Sequence, residues 1–104
     1  MRHMALFALL LAAQAQAQAA PAGPHPLRLT GQYTCADDVR FHVRANIDGK
    51  TLYLYTPHRI FPLQQRSRNE GFEWANPELT WVGTPAASAL HSEHGVVAHD
   101  CRKR

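Results

Sequence analysis

The sequence predicts an all-β protein that folds as one small, closed antiparallel barrel. Short segments of alternating apolar and polar residues follow one another at close spacing, with turn residues between them. No segment beyond the N-terminal region shows a sustained helical period. With 104 residues the chain favours closure of the sheet, because unpaired edges would make up much of a small open one.

Residues 1–19 are predicted to be a signal peptide. Arg2 supplies a positive charge, an apolar run covers residues 5–13, and alanines around Gln16 have the spacing that signal peptidase needs. The run is about half the length of a membrane-spanning helix, which needs about 20 residues. No cysteine near the predicted cleavage site could accept a lipid. We therefore expect a periplasmic or secreted protein without membrane insertion of the mature chain.

Residues 20–26 are rich in proline and are predicted to be a leader outside the fold, so that residues 27–104 form the domain. The predicted strands cover residues 27–35, 39–45, 51–55, 60–64, 71–74, 79–82, 88–91 and 96–101, although residues 86–91 could instead form one helical turn. The inward face of the first strand is predicted to carry Leu27, Leu29, Tyr33 and Cys35. Pro62 lacks a ladder donor, which places the fourth strand at an edge or beside a bulge.

Two cysteines remain in a chain that is predicted to be exported, which favours a disulfide between Cys35 and Cys101. Such a bridge would close nearly the whole domain and contribute roughly 4 kcal/mol in the chain-entropy model. Removal of residues 1–19 leaves ten basic residues against eight acidic ones. A net charge near +2 is too small to indicate a nucleic-acid partner.

A set of residues along the chain resembles a known family. In order, the landmarks are Tyr33-Thr34-Cys35, Gly71 with Trp74 three residues later, Trp81 with Gly83, Ser88-Ala89-Leu90, and Cys101. In this order they resemble the small bacterial inhibitors of C-type lysozyme, which occur as membrane-bound lipoproteins and as soluble periplasmic proteins. The resemblance covers about residues 33–101 and implies a barrel of roughly eight strands, a bridge between the cysteines, and C-type lysozyme as the protein partner.

The resemblance also implies where a target would bind. The polar segment of residues 66–71, here called the 66–71 loop, lies between two apolar segments, as expected of a loop displayed between strands. The predicted target-binding residues are Arg66, Ser67, Arg68, Asn69, Glu70, Gly71, Trp74 and Trp81. The family places a serine before the glycine that matches Gly71, where this chain has Glu70. It also has a lysine before the glycine that matches Gly83, where this chain has only Val82 after Trp81.

The cleft of a C-type lysozyme is built around two carboxylates, so an inserted group should donate hydrogen bonds or carry positive charge. Glu70 would instead bring a negative charge that only accepts hydrogen bonds. A carboxylate beside two others is repelled or protonated. Arg66 or Arg68 would then have to supply the donors, since guanidinium groups match carboxylates in a bidentate geometry.

Other chemistry has weaker support. His91, His94 and His99 lie close together in the sequence, and the spacing of the first two could present imidazoles to a metal, but spacing fixes no third ligand. Trp74 and Trp81 could stack on a cell-wall glycan, although we favour a position in the core or at the barrel rim for both. No serine lies in a nucleophile-elbow context and no glycine-rich phosphate loop is present, so we expect neither an enzyme nor a cofactor.

Overall fold

The computed structural model describes residues 25–104, which form a closed barrel of eight antiparallel strands. Its strands are β1 (Gly31–Thr34), β2 (Arg40–Ala45), β3 (Thr51–Tyr55), β4 (Ile60–Arg66), β5 (Phe72–Ala75), β6 (Leu79–Thr84), β7 (Ala87–Ser92) and β8 (Gly95–Lys103). Each strand pairs with the next, and β8 pairs with β1. The predicted fold class is confirmed. The predicted signal peptide, residues 1–19, lies outside the described residues, as do residues 20–24 of the predicted leader.

Alternation along the strands fills the barrel, as the sequence predicts. Phe41 and Val43 on β2 and Leu52 and Leu54 on β3 are buried, and their neighbours along each strand are more exposed. The buried cluster runs through all eight strands and includes two tryptophans. Within residues 25–104, no helix has the length and apolar character needed to cross a bilayer.

The first predicted strand is wrong at its N-terminal half. Pro26–Leu29 form one helical turn, α1, and β1 begins only at Gly31. Proline is favourable at the first helical position, and the His25 side chain accepts a hydrogen bond from the backbone N–H of Leu27 at 3.2 Å. Leu29 is buried as predicted, but Leu27 is 65% exposed. Pro26, which was assigned to the leader, is buried at the start of this turn.

Pro62 lies inside β4, opposite Tyr53 of β3. On its other side the pairing of β4 with β5 begins only at Gln64, so the missing N–H of Pro62 interrupts no ladder there. The carbonyl of Pro62 instead accepts a hydrogen bond from the side-chain amide of Asn76 at 3.1 Å. The predicted edge is therefore a local one within a closed barrel.

The barrel closes along a short seam between β1 and β8. Only Tyr33 and Thr34 of β1 are in register with β8. The Cys35–Cys101 disulfide lies directly beside this pairing and is confirmed, with a sequence separation of 66 between the two cysteines. The bridge therefore reinforces the ladder that has the fewest pairs.

The up-and-down connectivity gives the barrel two distinct ends. One end, here called the loop end, carries the β2–β3, β4–β5 and β6–β7 connections. Turn α1 lies at this end, because the hydroxyl of Thr30, the residue after it, accepts a hydrogen bond from the N–H of Ala45, the last residue of β2. The opposite end carries the β1–β2, β3–β4, β5–β6 and β7–β8 connections.

Candidate functional site

The 66–71 loop is the connection between β4 and β5, as the sequence predicts. Arg66 ends β4 and is paired with Glu73 of β5, and residues 67–71 join the two strands. Five consecutive residues, 66–70, are exposed, whereas Phe72 directly after the loop is fully buried. The loop therefore projects from a strand pair whose position is fixed by the core.

Gly71 fixes the C-terminal side of this loop. Its φ is +67°, a left-handed conformation that L side chains rarely adopt. A Cβ at this position would lie 2.3 Å from the carbonyl oxygen of Gly83 on β6. Gly83 is similarly crowded, because a Cβ there would lie 2.4 Å from the carbonyl oxygen of Ala87. The two glycines let the backbones of the loop, β6 and β7 pack at distances that any side chain would prevent.

The charges on the loop are held loosely. Arg68 Nη1 lies 3.2 Å from Glu73 Oε1, and the two side chains are 44% and 25% exposed. Pairs of this kind contribute at most about 1 kcal/mol, so Arg68 can exchange Glu73 for another carboxylate at little cost. Within residues 25–104, Arg66 and Glu70 take part in no ion pair. The loop thus presents two guanidinium groups and one acceptor-only carboxylate to solvent.

Trp74 and Trp81 do not join this surface. Both side chains are fully buried and face each other across the β5–β6 pairing. Direct contact with a target, or stacking on a glycan, would require exposed ring surface, and neither tryptophan has any. Their inclusion among the target-contacting residues is corrected to a core role, which is one of the two positions, core or barrel rim, that the sequence favours.

The two tryptophans differ in hydrogen bonding. Trp81 Nε1 donates to the hydroxyl of Ser88 at 3.0 Å, and that hydroxyl donates to the carbonyl of Cys101 at 3.3 Å. These two hydrogen bonds link β6, β7 and the bridged Cys101. Sequence reasoning gave Ser88 no role beyond that of a landmark of the family resemblance. In contrast, no group of the described residues accepts a hydrogen bond from Trp74 Nε1.

An aromatic cluster fills part of the barrel interior. The Trp81 ring lies 4.4 Å from the ring of Phe72 and 5.1 Å from that of Tyr33, and Tyr33 stacks on Phe41 at 5.1 Å. The Tyr33 hydroxyl donates to the carbonyl of Leu29 at 2.8 Å, which ties α1 to the barrel. Burial raises the pKa of Tyr33 to about 12.

Two of the three histidines near the C-terminus, His94 and His99, each lie close to a neighbouring carboxylate. His94 lies 3.5 Å from Glu93 in the β7–β8 connection, and His99 lies 3.6 Å from Asp100 on β8. No group of three or more potential metal ligands occurs within residues 25–104. The arrangement of His91, His94 and His99 therefore supplies no observation that favours a metal centre.

Sequence reasoning missed the pockets on the barrel surface, which have volumes of about 280 to 410 Å³. A pocket of about 330 Å³ opens at the end opposite the loop and is lined by residues of three separate connections, among them Arg59, Glu78 and His94. No local motif in the sequence indicates it, because residues from different connections create the surface together.

Comparisons with known proteins add no relative. A scan against protein-family models found no match, and searches of curated proteins and of solved structures found none either.

Proposed function

We propose that this chain is an exported inhibitor of C-type lysozyme, or a diverged protein of that type, that acts through the 66–71 loop. The observation that carries the proposal is the exposed loop with two arginines, held on a disulfide-bridged eight-stranded barrel by the contact between Gly71 and Gly83. The resemblance described above implies the same barrel and bridge.

The chemistry of the loop suits an acidic cleft. Arg68 already binds a carboxylate, that of Glu73, through one guanidinium nitrogen. A guanidinium has five N–H donors, so Arg68 could bind a target carboxylate in addition to Glu73 or in its place. Arg66 adds a second positive charge at the start of the same loop. These two residues take the role that the family gives to its serine and lysine.

Glu70 opposes this binding. Its carboxylate is exposed next to Gly71 and, when ionised, can only accept hydrogen bonds. Near the two carboxylates of a lysozyme cleft it would be repelled, because like charges at close range cost free energy. We therefore expect weak inhibition by the wild-type protein.

Location and alternative functions follow the same reasoning. A disulfide persists in oxidising compartments, which supports the proposed export to the periplasm or the exterior. We put forward neither a metal-binding nor a glycan-binding function, since the histidines form separate pairs and both tryptophans are buried.

An inhibition assay tests the proposal. Hydrolysis of peptidoglycan by a C-type lysozyme is measured with wild type, Glu70→Ser and Arg68→Ala. Glu70→Ser should inhibit about 10- to 100-fold more tightly, because it removes the repulsion and restores a hydrogen-bond donor. Arg68→Ala should weaken inhibition. Glu93→Ser is the matched control, because it makes the same change in an exposed residue at the opposite end. If Glu70→Ser and Glu93→Ser behave alike, the loop does not enter the cleft.

A further inference from the structure

The pocket at the end opposite the loop has an apolar floor. Leu79 and Leu90 are buried below it, and Phe61 and Val97 form its walls. Its volume of about 330 Å³ falls at the lower limit of small-molecule sites, which typically measure about 300–1,000 Å³ and often occupy the mouths of barrels. The pocket is therefore large enough for one compact organic molecule.

The rim of the pocket is more negative than positive. Glu78 and Glu93 line it together with one residue that is always cationic, Arg59. Of the remaining rim residues, His94 is the only other titratable one. Counted without the histidine, the rim therefore carries one excess negative charge.

The net charges of the two ends of the barrel show the same bias, with the pocket end more negative than the loop end. Counted over its connections and α1, the loop end carries three basic residues, Arg28, Lys50 and Arg68, against two acidic ones, Asp48 and Glu70, which gives +1. Counted over its connections, the opposite end carries one basic residue, Arg59, against four acidic ones, Asp37, Asp38, Glu78 and Glu93, which gives −3. Clefts lined by one sign of charge raise the local concentration of the opposite ion. A cation is therefore favoured at the pocket and disfavoured at the loop.

One cationic group of the protein already occupies this environment. The Arg59 guanidinium lies 4.8 Å from the centroid of the Phe61 ring and forms an ion pair with Glu78. An aromatic face beside a carboxylate stabilises a flat or small organic cation. Glu93, also on the rim, offers a second carboxylate whose side chain is 77% exposed.

We propose that this pocket binds a small organic cation with an apolar body. The apolar part lies on Phe61, Leu79, Leu90 and Val97, and the positive group lies between the carboxylates of Glu78 and Glu93. The proposal is independent of the lysozyme-inhibitor function, because it uses none of the residues of the 66–71 loop. An organic cation that binds here would leave the loop free.

A series of three ligands with the same phenyl group tests the charge preference. Phenethylammonium, 2-phenylethanol and 3-phenylpropanoate are titrated separately into ¹⁵N-labelled protein, and amide shifts are recorded by NMR. Phenethylammonium should bind with a dissociation constant on the order of 1 mM, roughly 3- to 10-fold tighter than the alcohol. The carboxylate should bind most weakly. The shifted amides should lie in residues 56–61, 78–79, 90–94 and 97.

Variants test whether the carboxylates of Glu78 and Glu93 cause the preference for a cationic ligand. Glu78→Gln/Glu93→Gln should abolish the preference for phenethylammonium over 2-phenylethanol, while both still bind the apolar floor. Asp48→Asn is the matched control, because it removes one carboxylate at the loop end and keeps the oxygen that accepts from the N–H of Lys50. It should leave all three affinities unchanged. The proposal is overturned if none of the three ligands shifts these amides, if 3-phenylpropanoate binds as tightly as the amine, or if the double variant retains the preference.

Discussion

The two ends of the barrel differ in shape and in charge, although the same eight strands form both. The loop end projects, because the loop between β4 and β5 stands on the buried Phe72 and on a contact between two glycine backbones. The opposite end recedes, because its connections surround a pocket of about 330 Å³. Counted over the connections and α1, the loop end carries +1 and the pocket end −3.

The contacts that hold each end also differ in their exposure to solvent. Turn α1 packs at the loop end, where the Tyr33 hydroxyl donates to the carbonyl of Leu29 in a buried contact. At the pocket end, the buried Leu79 and Leu90 lie below exposed pairs such as Arg59 with Glu78, whose side chains are 56% and 52% exposed. Exposed pairs contribute little, so substitution of a buried residue at either end should cost far more stability than substitution of a charged residue on the pocket rim.

The largest loss of stability should come from removal of the Cys35–Cys101 bridge. Cys35→Ser/Cys101→Ser should lower the free energy of unfolding by about 4 kcal/mol, because a loop of this length loses much entropy when it is cross-linked. Urea denaturation measures the change. Mass spectrometry of the unreduced wild type should find no alkylatable thiol. A loss below about 1 kcal/mol would mean that the β1–β8 ladder closes the barrel without help.

Gly71→Ala should destabilise the loop end by about 2–4 kcal/mol, because the added Cβ meets the backbone of Gly83 and the φ angle is unfavourable. Gly49→Ala is a close control. Its φ of +70° is nearly the same, and its added Cβ meets nothing within 4 Å. It should cost only about 1–2 kcal/mol. Equal losses in thermal or urea unfolding would show that the contact with Gly83 does not hold the loop.

Alkaline titration tests the link between Tyr33 and α1. The pKa of Tyr33 is about 12 in the fold and about 10 when unfolded, so its contribution is complete below pH 10 and lost as pH rises through 12. The loss should reach about 2–3 kcal/mol, since one pKa unit corresponds to about 1.4 kcal/mol. The ultraviolet absorbance of tyrosinate should show a late component that Tyr33→Phe removes. If Tyr33→Phe instead removes a component near pH 10, the burial of Tyr33 is contradicted.

The smallest predicted effect is the difference in stability cost between substitutions of Trp81 and Trp74, which are in register across β5 and β6. Trp81→Phe loses the hydrogen bond to Ser88, whereas Trp74→Phe removes a donor that no described group accepts from. Both substitutions remove the same atoms from buried positions. Trp81→Phe should therefore cost about 1–2 kcal/mol more than Trp74→Phe in urea unfolding. Equal costs would contradict the assignment of Trp74 Nε1 as an unpartnered donor.

Much of the barrel could be predicted because strands such as β2 and β3 alternate over five or six residues. The period of two fixes which residues of β2 and β3 face inward, and two cysteines leave one possible bridge. The helical turn at Pro26–Leu29 could not be predicted in this way, because four residues are too few to separate the two periods. Its proline was interpreted as part of a leader and not as the first residue of a helix.

The candidate site was only partly predictable for a different reason. A polar segment between two apolar ones indicates a loop, and the positive φ of Gly71 agrees with the conformational freedom expected there. The side on which Trp74 and Trp81 lie depends on register, which sequence alone does not specify near a loop. The pocket depends on three connections that meet only in the folded barrel.

The central claim is that the 66–71 loop enters the cleft of a C-type lysozyme. NMR titration of ¹⁵N-labelled protein with the unlabelled enzyme, with and without an oligosaccharide that occupies the cleft, tests it most directly. Amides of residues 66–73 should shift or broaden, more strongly in Glu70→Ser, and the oligosaccharide should reverse the change. Residues 56–61 and 93–94 at the opposite end should stay unchanged. Changes confined to that end, or changes at the loop that the oligosaccharide does not reverse, would contradict the claim.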